Sequence, residues 1–344
     1  FLKGKLRFTV DVYQKYVKDL LQPKVKMPTT IGYGNGYQIS YMNSGKMTNK
    51  GWEFRVDAVP FQNKDWRVGV YFNIAHNENK ITEMPDNYIE ENYTFGNGNY
   101  AYRREEGRPM GSFYGYRYKG VYQNKDATYA RDIEGNVMKD ISGNAIVMRN
   151  GSYTVAPGDA IYEDVNHDGV INQYDIVYLG NSNPRLTGGA GLNVSYKQFK
   201  LSAIFYGRYG QDVVNSTRLN NESMRGIDNQ STAVLRRWRN EGDQTDIPRA
   251  LYGEGYNTLG SDRFVEDASY LRLKSLSFTY RLPKKAIQRW GFNNIDVYVT
   301  GYNLFTWTNY TGQDPEVKTE NTYAKDTATT PASIQLVAGF NLSF

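Results

Sequence analysis

The chain has 344 residues, with 41 Lys and Arg against 36 Asp and Glu for a formal charge of +5, 33 Gly, 30 Tyr and no Cys. The absence of cysteine removes disulfides, thiolate metal sites and cysteine nucleophiles, and the scattered basic residues argue against a nucleic-acid surface, which needs Lys and Arg gathered into a stripe among stacking aromatics. No run of 18 apolar residues occurs and the mean hydropathy is -0.66; this excludes a membrane-spanning helix but not a spanning strand, where only alternate residues of about ten face lipid.

In chain order the pattern is one of strands. Leu6, Phe8, Val10 and Val12 alternate with Lys5, Arg7, Thr9 and Asp11, and the chain is already extended at Phe1 with no initiator Met and no apolar leader, which suggests a mature or cleaved piece of a longer protein. Trp52, Phe54, Val56 and Ala58 then oppose Glu53, Arg55 and Asp57; after the turn at 62–65, Trp66, Val68, Val70, Phe72 and Ile74 oppose Arg67, Tyr71 and Asn73. Leu186 to Tyr196 and Phe199 to Phe205 repeat the alternation around Lys197-Gln198, and Ile295, Val297 and Val299 carry it on. Ile334, Leu336, Ala338, Phe340, Leu342 and Phe344 end the chain as one apolar face. Between Leu273 and Leu276 the phase slips from odd to even, which predicts a β-bulge.

This reading gives about ten strands, at 3–20, 46–60, 66–82, 93–104, 112–122, 184–197, 199–213, 263–282, 294–305 and 333–344. Short connections near 61–65, 105–111, 197–199 and 283–293 fall on one end, and the long ones at 123–183 and 214–262 on the other; 83–92 fits the long set least well. Short periplasmic turns and long extracellular loops are the signature of an outer-membrane barrel, and the terminal aromatic Phe344 suits its closing strand at the periplasmic rim. A soluble all-β sandwich would also alternate, but it would need a second apolar sheet to cover each of these faces and would not need the loop asymmetry.

One motif is chemically specific. Asp164-Val-Asn-His-Asp168-Gly-Val-Ile-Asn172-Gln-Tyr-Asp175 spaces side-chain oxygens as an EF-hand loop does. Asp164, Asn166 and Asp168, the carbonyl of Val170, Asn172 and Asp175 are thus candidate ligands for a structural Ca2+, with Asp in place of Glu at the last position weakening the bidentate grip. The competing reading is an Asx-rich turn that holds no metal. His76 and His167 are the only histidines, too few for a histidine metal cluster and with no legible Ser-His-Asp partner set. Gly188-Gly-Ala-Gly191 leads into a strand rather than a helix, so it offers no phosphate loop. The tyrosines in strands read as interfacial girdles; those outside them, including Tyr252, Tyr256 and Tyr310 with Trp307, could instead stack on sugars.

Asn49-Lys-Gly-Trp-Glu-Phe54, Glu106-Gly-Arg-Pro-Met-Gly-Ser-Phe-Tyr-Gly-Tyr116, the stretch Asp164 to Asp175 with Gly180-Asn-Ser-Asn-Pro184 behind it, Ala268-Ser-Tyr-Leu-Arg-Leu273, Tyr302-Asn-Leu-Phe305 and the terminal Phe344 resemble the C-terminal half of the SusC/RagA family of TonB-dependent outer-membrane transporters of Bacteroidetes. The resemblance implies that residues 1–344 are the C-terminal strands of a 22-stranded antiparallel transmembrane barrel filled by a plug, with the plug and the remaining strands elsewhere. It further implies active import of oligosaccharides or oligopeptides, a SusD-like surface lipoprotein as lid, the TonB complex as energy source, and no catalytic residue. The alternatives are an outer-membrane barrel enzyme or a passive surface barrel or adhesin.

Overall fold

Alternating apolar and polar side chains are reconciled in extended backbone, where successive side chains leave on opposite faces, and eight such stretches build the main sheet. The computed structural model describes residues 4–26, 38–43, 45–84, 93–320 and 323–344. The main sheet comprises β1 (Leu6–Lys18), β2 (Lys46–Gln62), β3 (Trp66–Glu83), β4 (Leu186–Tyr196), β5 (Phe199–Tyr209), β6 (Tyr270–Arg281), β7 (Asn294–Thr308) and β8 (Gln335–Ser343). Each pairs antiparallel with the next in chain order, an up-and-down meander.

The connections 63–65, 197–198 and 282–293 lie at one end of this sheet, and 19–45, 84–185, 210–269 and 309–334 at the other. The expected asymmetry of loop length is therefore present. At the tightest turn, Asn63 Oδ1 accepts the N–H groups of Asp65 and Trp66 at 2.9 and 2.8 Å. The expected bulge is also present: register shifts fall between Ile204 and Phe205 and between Leu273 and Ser275.

Two strands of the sequence reading are not in the wall. Residues 93–104 form no strand, and 112–122 breaks into Ser112–Gly115 and Tyr118–Val121, which pair with Val177–Asn181 and Ala160–Tyr162. A wall strand needs one apolar and one polar face, whereas Ser112–Gly115 is buried on both; its aromatics belong to a core. The short connection at 105–111 disappears with them, and the 83–92 loop lies largely outside the described residues. The segments 123–183 and 214–262, read as two long loops, pack together in one lobe, described next.

Cross-strand register turns the alternation into two surfaces. Phe8, Val56, Phe72, Ala190, Phe205, Leu273 and Phe305 are successive partners from β1 to β7, a single apolar row. Nearer the short turns, Trp66, Tyr196, Phe199 and Tyr280 make an aromatic row across β3 to β6, with Trp66 and Tyr196 4.3 Å apart. Most of this face has no covering layer: Phe8 is 51%, Phe72 44% and Phe305 60% exposed, as are Val12 and Phe340 beyond the rows, while Leu273 at the bulge is buried. An apolar belt of this extent is stable only against a non-aqueous neighbour.

The buried core sits at the other end of the molecule, where the three long connections after β3, β5 and β7 fold into a lobe. Tyr114, Tyr116, Tyr122, Ile171 and Leu259 centre one cluster. Phe113, Val214 and Phe264, with Tyr323 against them, join all three connections in another. Backbone pairing adds a four-stranded sheet of Asp212–Asn215, Val265–Asp267, Tyr323–Asp326 and Thr319–Glu320.

Candidate functional site

Opposite the apolar belt lies a polar surface. Thr9, Arg55, Asn73, Gly189, Tyr206, Arg272 and Thr306 are its row of partners from β1 to β7. Towards the short turns this face bears a concavity of about 900 Å3 lined by Arg7, Thr9, Arg55, Asp57, Tyr71 and Asn193. Arg55 donates two hydrogen bonds of 2.8 Å to Asp57, and its guanidinium sits 5.7 Å from the Tyr71 ring centre. The Tyr71 ring lies over Gly191, its direct cross-strand partner, in space a Cβ would fill; Tyr13 over Gly51 and Tyr298 over Gly339 repeat the joint. Aromatic rings that cover cross-strand glycines fix register on a face that cannot use apolar packing.

Towards the lobe, the polar face holds a clamp. Arg272, 3% exposed, donates to Thr306 Oγ1 at 2.8 Å, to Glu316 at 2.9 Å and to Asp314 at 2.5 Å, and Lys274 adds a 2.8 Å bond to Glu316. Asp314 also accepts the N–H groups of Glu316 and Ala332, both at 2.9 Å. The connection between β7 and β8 is thereby drawn onto the polar face. Sequence reading missed this clamp, because Arg272 and Asp314 are 42 residues apart and nothing local pairs them.

The lobe carries its own buried ion pairs. Arg249 grips Asp159 at 2.7 and 3.2 Å, and Asn257 adds a 3.3 Å bond to the same carboxylate. Arg263 reaches Glu222 at 2.7 Å, while Arg218 links Glu222 and Glu266 at 2.9 and 3.2 Å. Burial pushes Tyr93 up to about 12 and holds Tyr100, Tyr114, Tyr116, Tyr118, Tyr122 and Tyr162 above the ordinary tyrosine value. This is a hydrogen-bonded scaffold with its phenols kept neutral, suited to holding a surface still.

All six candidate calcium ligands fall in one turn of this lobe. Asp164 accepts Gly169 N–H at 2.8 Å, Asp168 accepts Val170 N–H at 2.8 Å, and Asp175 accepts the N–H groups of Val165 and Asn172 at 2.9 and 2.8 Å. Asn166 donates to Asp168 at 2.9 Å, and Asn172 caps the short turn Gln173–Asp175 while donating to the Val170 carbonyl at 3.0 Å. His167 and Gly169 take the left-handed backbone that such a loop requires. Burial raises the Asp175 carboxyl, with Asp164 and Asp168 adding to the effect and the two backbone bonds opposing it. Among the described residues no three His, Cys, Asp or Glu side chains converge to hold a metal ion.

The two histidines are not brought together: His76 Nδ1 lies 2.6 Å from the Arg185 carbonyl, and His167 lies in the acidic turn. Of the aromatics considered for sugar stacking, Tyr252 is exposed, Tyr256 packs on Phe95 at 4.8 Å, Tyr310 is buried with its hydroxyl 2.6 Å from Asp326, and Trp307 belongs to the apolar belt of β7. Sequence reading also missed a tandem octad, Arg131-Asp-Ile-Glu-Gly-Asn-Val-Met138 and Lys139-Asp-Ile-Ser-Gly-Asn-Ala-Ile146. Asp132 and Asp140 close equivalent turns through the N–H groups two and four residues on, leaving Ile133 and Ile141 fully presented to the outside. The eight-residue period was the available signal.

No protein-family model matches the chain. It is 32% identical over 325 residues to TonB-dependent receptor P3 of Formosa agariphila, covering 92% of this chain and 29% of that protein. To the TonB-dependent receptor SusC of Bacteroides thetaiotaomicron it is 28% identical over 353 residues, covering 100% of this chain and 31% of that one. Among solved structures, the RagAB peptide importer in its closed-closed state superposes with a TM-score of 0.72 at 27% identity, over 100% of this chain and 34% of the other. The chain thus spans less than a third of the length of these curated relatives.

Proposed function

From a chain that is SusC/RagA-like along nearly its whole length, resembling a stretch of a TonB-dependent receptor barrel, we propose a contribution to active import across the bacterial outer membrane. In this reading β1 to β8 are a section of the barrel wall, with the apolar belt against lipid and the polar face towards the lumen. The remaining strands and the plug complete the barrel, and TonB acts through them. The observation that carries the proposal is the pair of opposed faces in one register, an uncovered apolar belt backed by a charged concave surface, in a chain similar to receptors of this kind.

The lobe then stands on the extracellular side, over the lumen. Its exposed Ile133, Ile141, Ile227, Leu235 and Tyr252 offer apolar footholds for a SusD-like lipoprotein lid. The cargo is an oligosaccharide or an oligopeptide; the likeness to a peptide importer supports the second and the likeness to SusC leaves the first in play. No residue of the chain is given a catalytic role. For the turn from Asp164 to Asp175 the proposal is that Ca2+ reinforces a fold its hydrogen bonds already define. Protection of the 123–183 segment from protease by Ca2+ relative to chelator supports that, and identical digests reduce it to a self-sufficient Asx turn.

The test of import uses cells expressing the full-length receptor and its partner, with labelled oligopeptide and oligosaccharide pools supplied separately. Uptake of one pool that stops when the proton-motive force is collapsed supports the reading. Uptake that persists would point to a passive barrel, and hydrolysis of the pool by the purified receptor would point to an enzyme.

A further inference from the structure

Two cavities adjoin where the lobe ends of β3 and β4 meet the lobe, the first on the outer face and the second at the edge between the two faces. The first is an apolar groove of about 550 Å3. Gly188 and Gly207 are direct partners on β4 and β5, so the apolar row that continues from Ile74 loses its side chains at two adjacent positions. With Ala190 they floor the groove, while Phe72 and Ile74 stand on one side and Phe205, Leu271 and Trp307 on the other. Neither glycine can change freely: a Cβ on Gly188 would meet the Asn73 carbonyl at 2.6 Å, and one on Gly207 the Tyr270 carbonyl at 2.8 Å.

The second cavity, about 280 Å3, opens where β3 runs on past the first residue of β4. It is lined by polar groups, with His76, Lys80 and Arg185 as its basic side chains and Glu78 as its acid. Among the described residues neither Lys80 nor Arg185 makes a salt bridge, and an acid that acts on Arg185, Asp212 at the foot of the lobe, lies outside the cavity lining. The cavity is held open by its own rim: Asn79 accepts the Met110 N–H at 2.8 Å, and the Asn183 side chain donates to the Met110 carbonyl at 2.5 Å. The two spaces adjoin. Ile74 and His76 are successive outward positions on β3, about 7 Å apart, and Arg185 directly precedes Leu186 of the groove.

A cationic pocket above a glycine-floored apolar slot, on a surface that already faces a non-aqueous phase, matches an amphiphile with an anionic head. We propose that this is a binding site for one phosphate-bearing acyl lipid of the surrounding leaflet, its phosphate between Lys80 and Arg185 and an acyl chain laid across Gly188 and Gly207. The inference rests on the reading of β1 to β8 as membrane wall. The groove's continuity with the lipid-facing belt, and at its head the cations Lys80 and Arg185, neither in a salt bridge among the described residues, single out this occupant from a protein segment, which would need partners for its backbone in the slot.

The test is native mass spectrometry of the full-length receptor with its partner, exchanged into nanodiscs containing diphosphoryl lipid A or phosphatidylcholine. Retention of lipid A at one per receptor, reduced on the order of tenfold or more by the double change Lys80→Glu with Arg185→Glu and by Ala190→Phe in the groove, supports the site. The charge variant lies on an exposed rim and decides the matter if the groove variant fails to fold. Equal retention of phosphatidylcholine, lipid A retention unchanged by the variants, or displacement of lipid A by inorganic phosphate would each overturn it. Failure of the wall reading itself is distinguishable, since the receptor would then retain neither lipid.

Discussion

Burying a guanidinium costs several kcal/mol unless its donors find acceptors, and Arg272 meets that condition through Asp314 and Glu316. Arg272→Met should therefore release the 309–332 connection at a cost of about 3 kcal/mol while leaving the sheet intact. Limited proteolysis would show new cleavage between β7 and β8 with unaltered heat-modifiable migration, and cleavage unchanged from wild type would remove the clamp from the account. The buried tyrosines give a pH prediction. Their folded values lie above the ordinary 10.0, and that of Tyr93 at about 12. The stability they contribute is complete below pH 10 and is lost as the pH rises through the raised values. Tyrosinate absorbance should accordingly show a late phase near and above pH 12, coincident with loss of near-ultraviolet circular dichroism; completion of the whole titration near pH 10 with the lobe still folded would contradict it.

Strands of this wall are joined on their polar face by rings over glycines, and Gly191 beneath Tyr71 is the test of that device. Gly191→Ala should cost about 1–3 kcal/mol by overpacking. Tyr71→Ala in the same chain should recover part of the loss, whereas additive penalties in urea unfolding would mean that the ring and the glycine are not coupled. Much at this scale was legible beforehand. Period-two alternation located all eight wall strands, seven of them to within four residues, while 263–282 began too early because Val265–Asp267 pairs in the lobe sheet; the odd-to-even slip between Leu273 and Leu276 located the bulge, because it is a property of one strand's own side chains. The segments 93–104 and 112–122 were misread because Phe113, Tyr114 and Tyr116 are apolar for a different reason: they fill a core completed by segments far away in the chain, such as those of Leu259 and Phe264, which local periodicity cannot register. The acidic turn was legible in its spacing, but the sequence could not show that backbone N–H groups take up its carboxylates.

For the whole molecule, the composition average hides what register reveals: polar and apolar side chains are separated onto two surfaces of one sheet, and the buried core is displaced into a lobe at one end. That separation is costly in water and natural at a bilayer, and on the proposed wall reading acyl chains solvate the belt from Phe8 to Phe305 and the lumen the polar face. The chain contains no cysteine, so single cysteines introduced into it report position without background once any cysteine in the rest of the full-length receptor is replaced by Ser. The most direct measurement is labelling of intact cells with a membrane-impermeant maleimide after Ile141→Cys in the lobe and, separately, Phe278→Cys and Phe340→Cys in the belt, with a lipid-borne quencher reading the belt positions from purified nanodiscs. The account predicts that Ile141→Cys labels readily, and that Phe278→Cys and Phe340→Cys resist the maleimide and are quenched from within the lipid. Ready aqueous labelling at both belt positions, with no quenching, would contradict it.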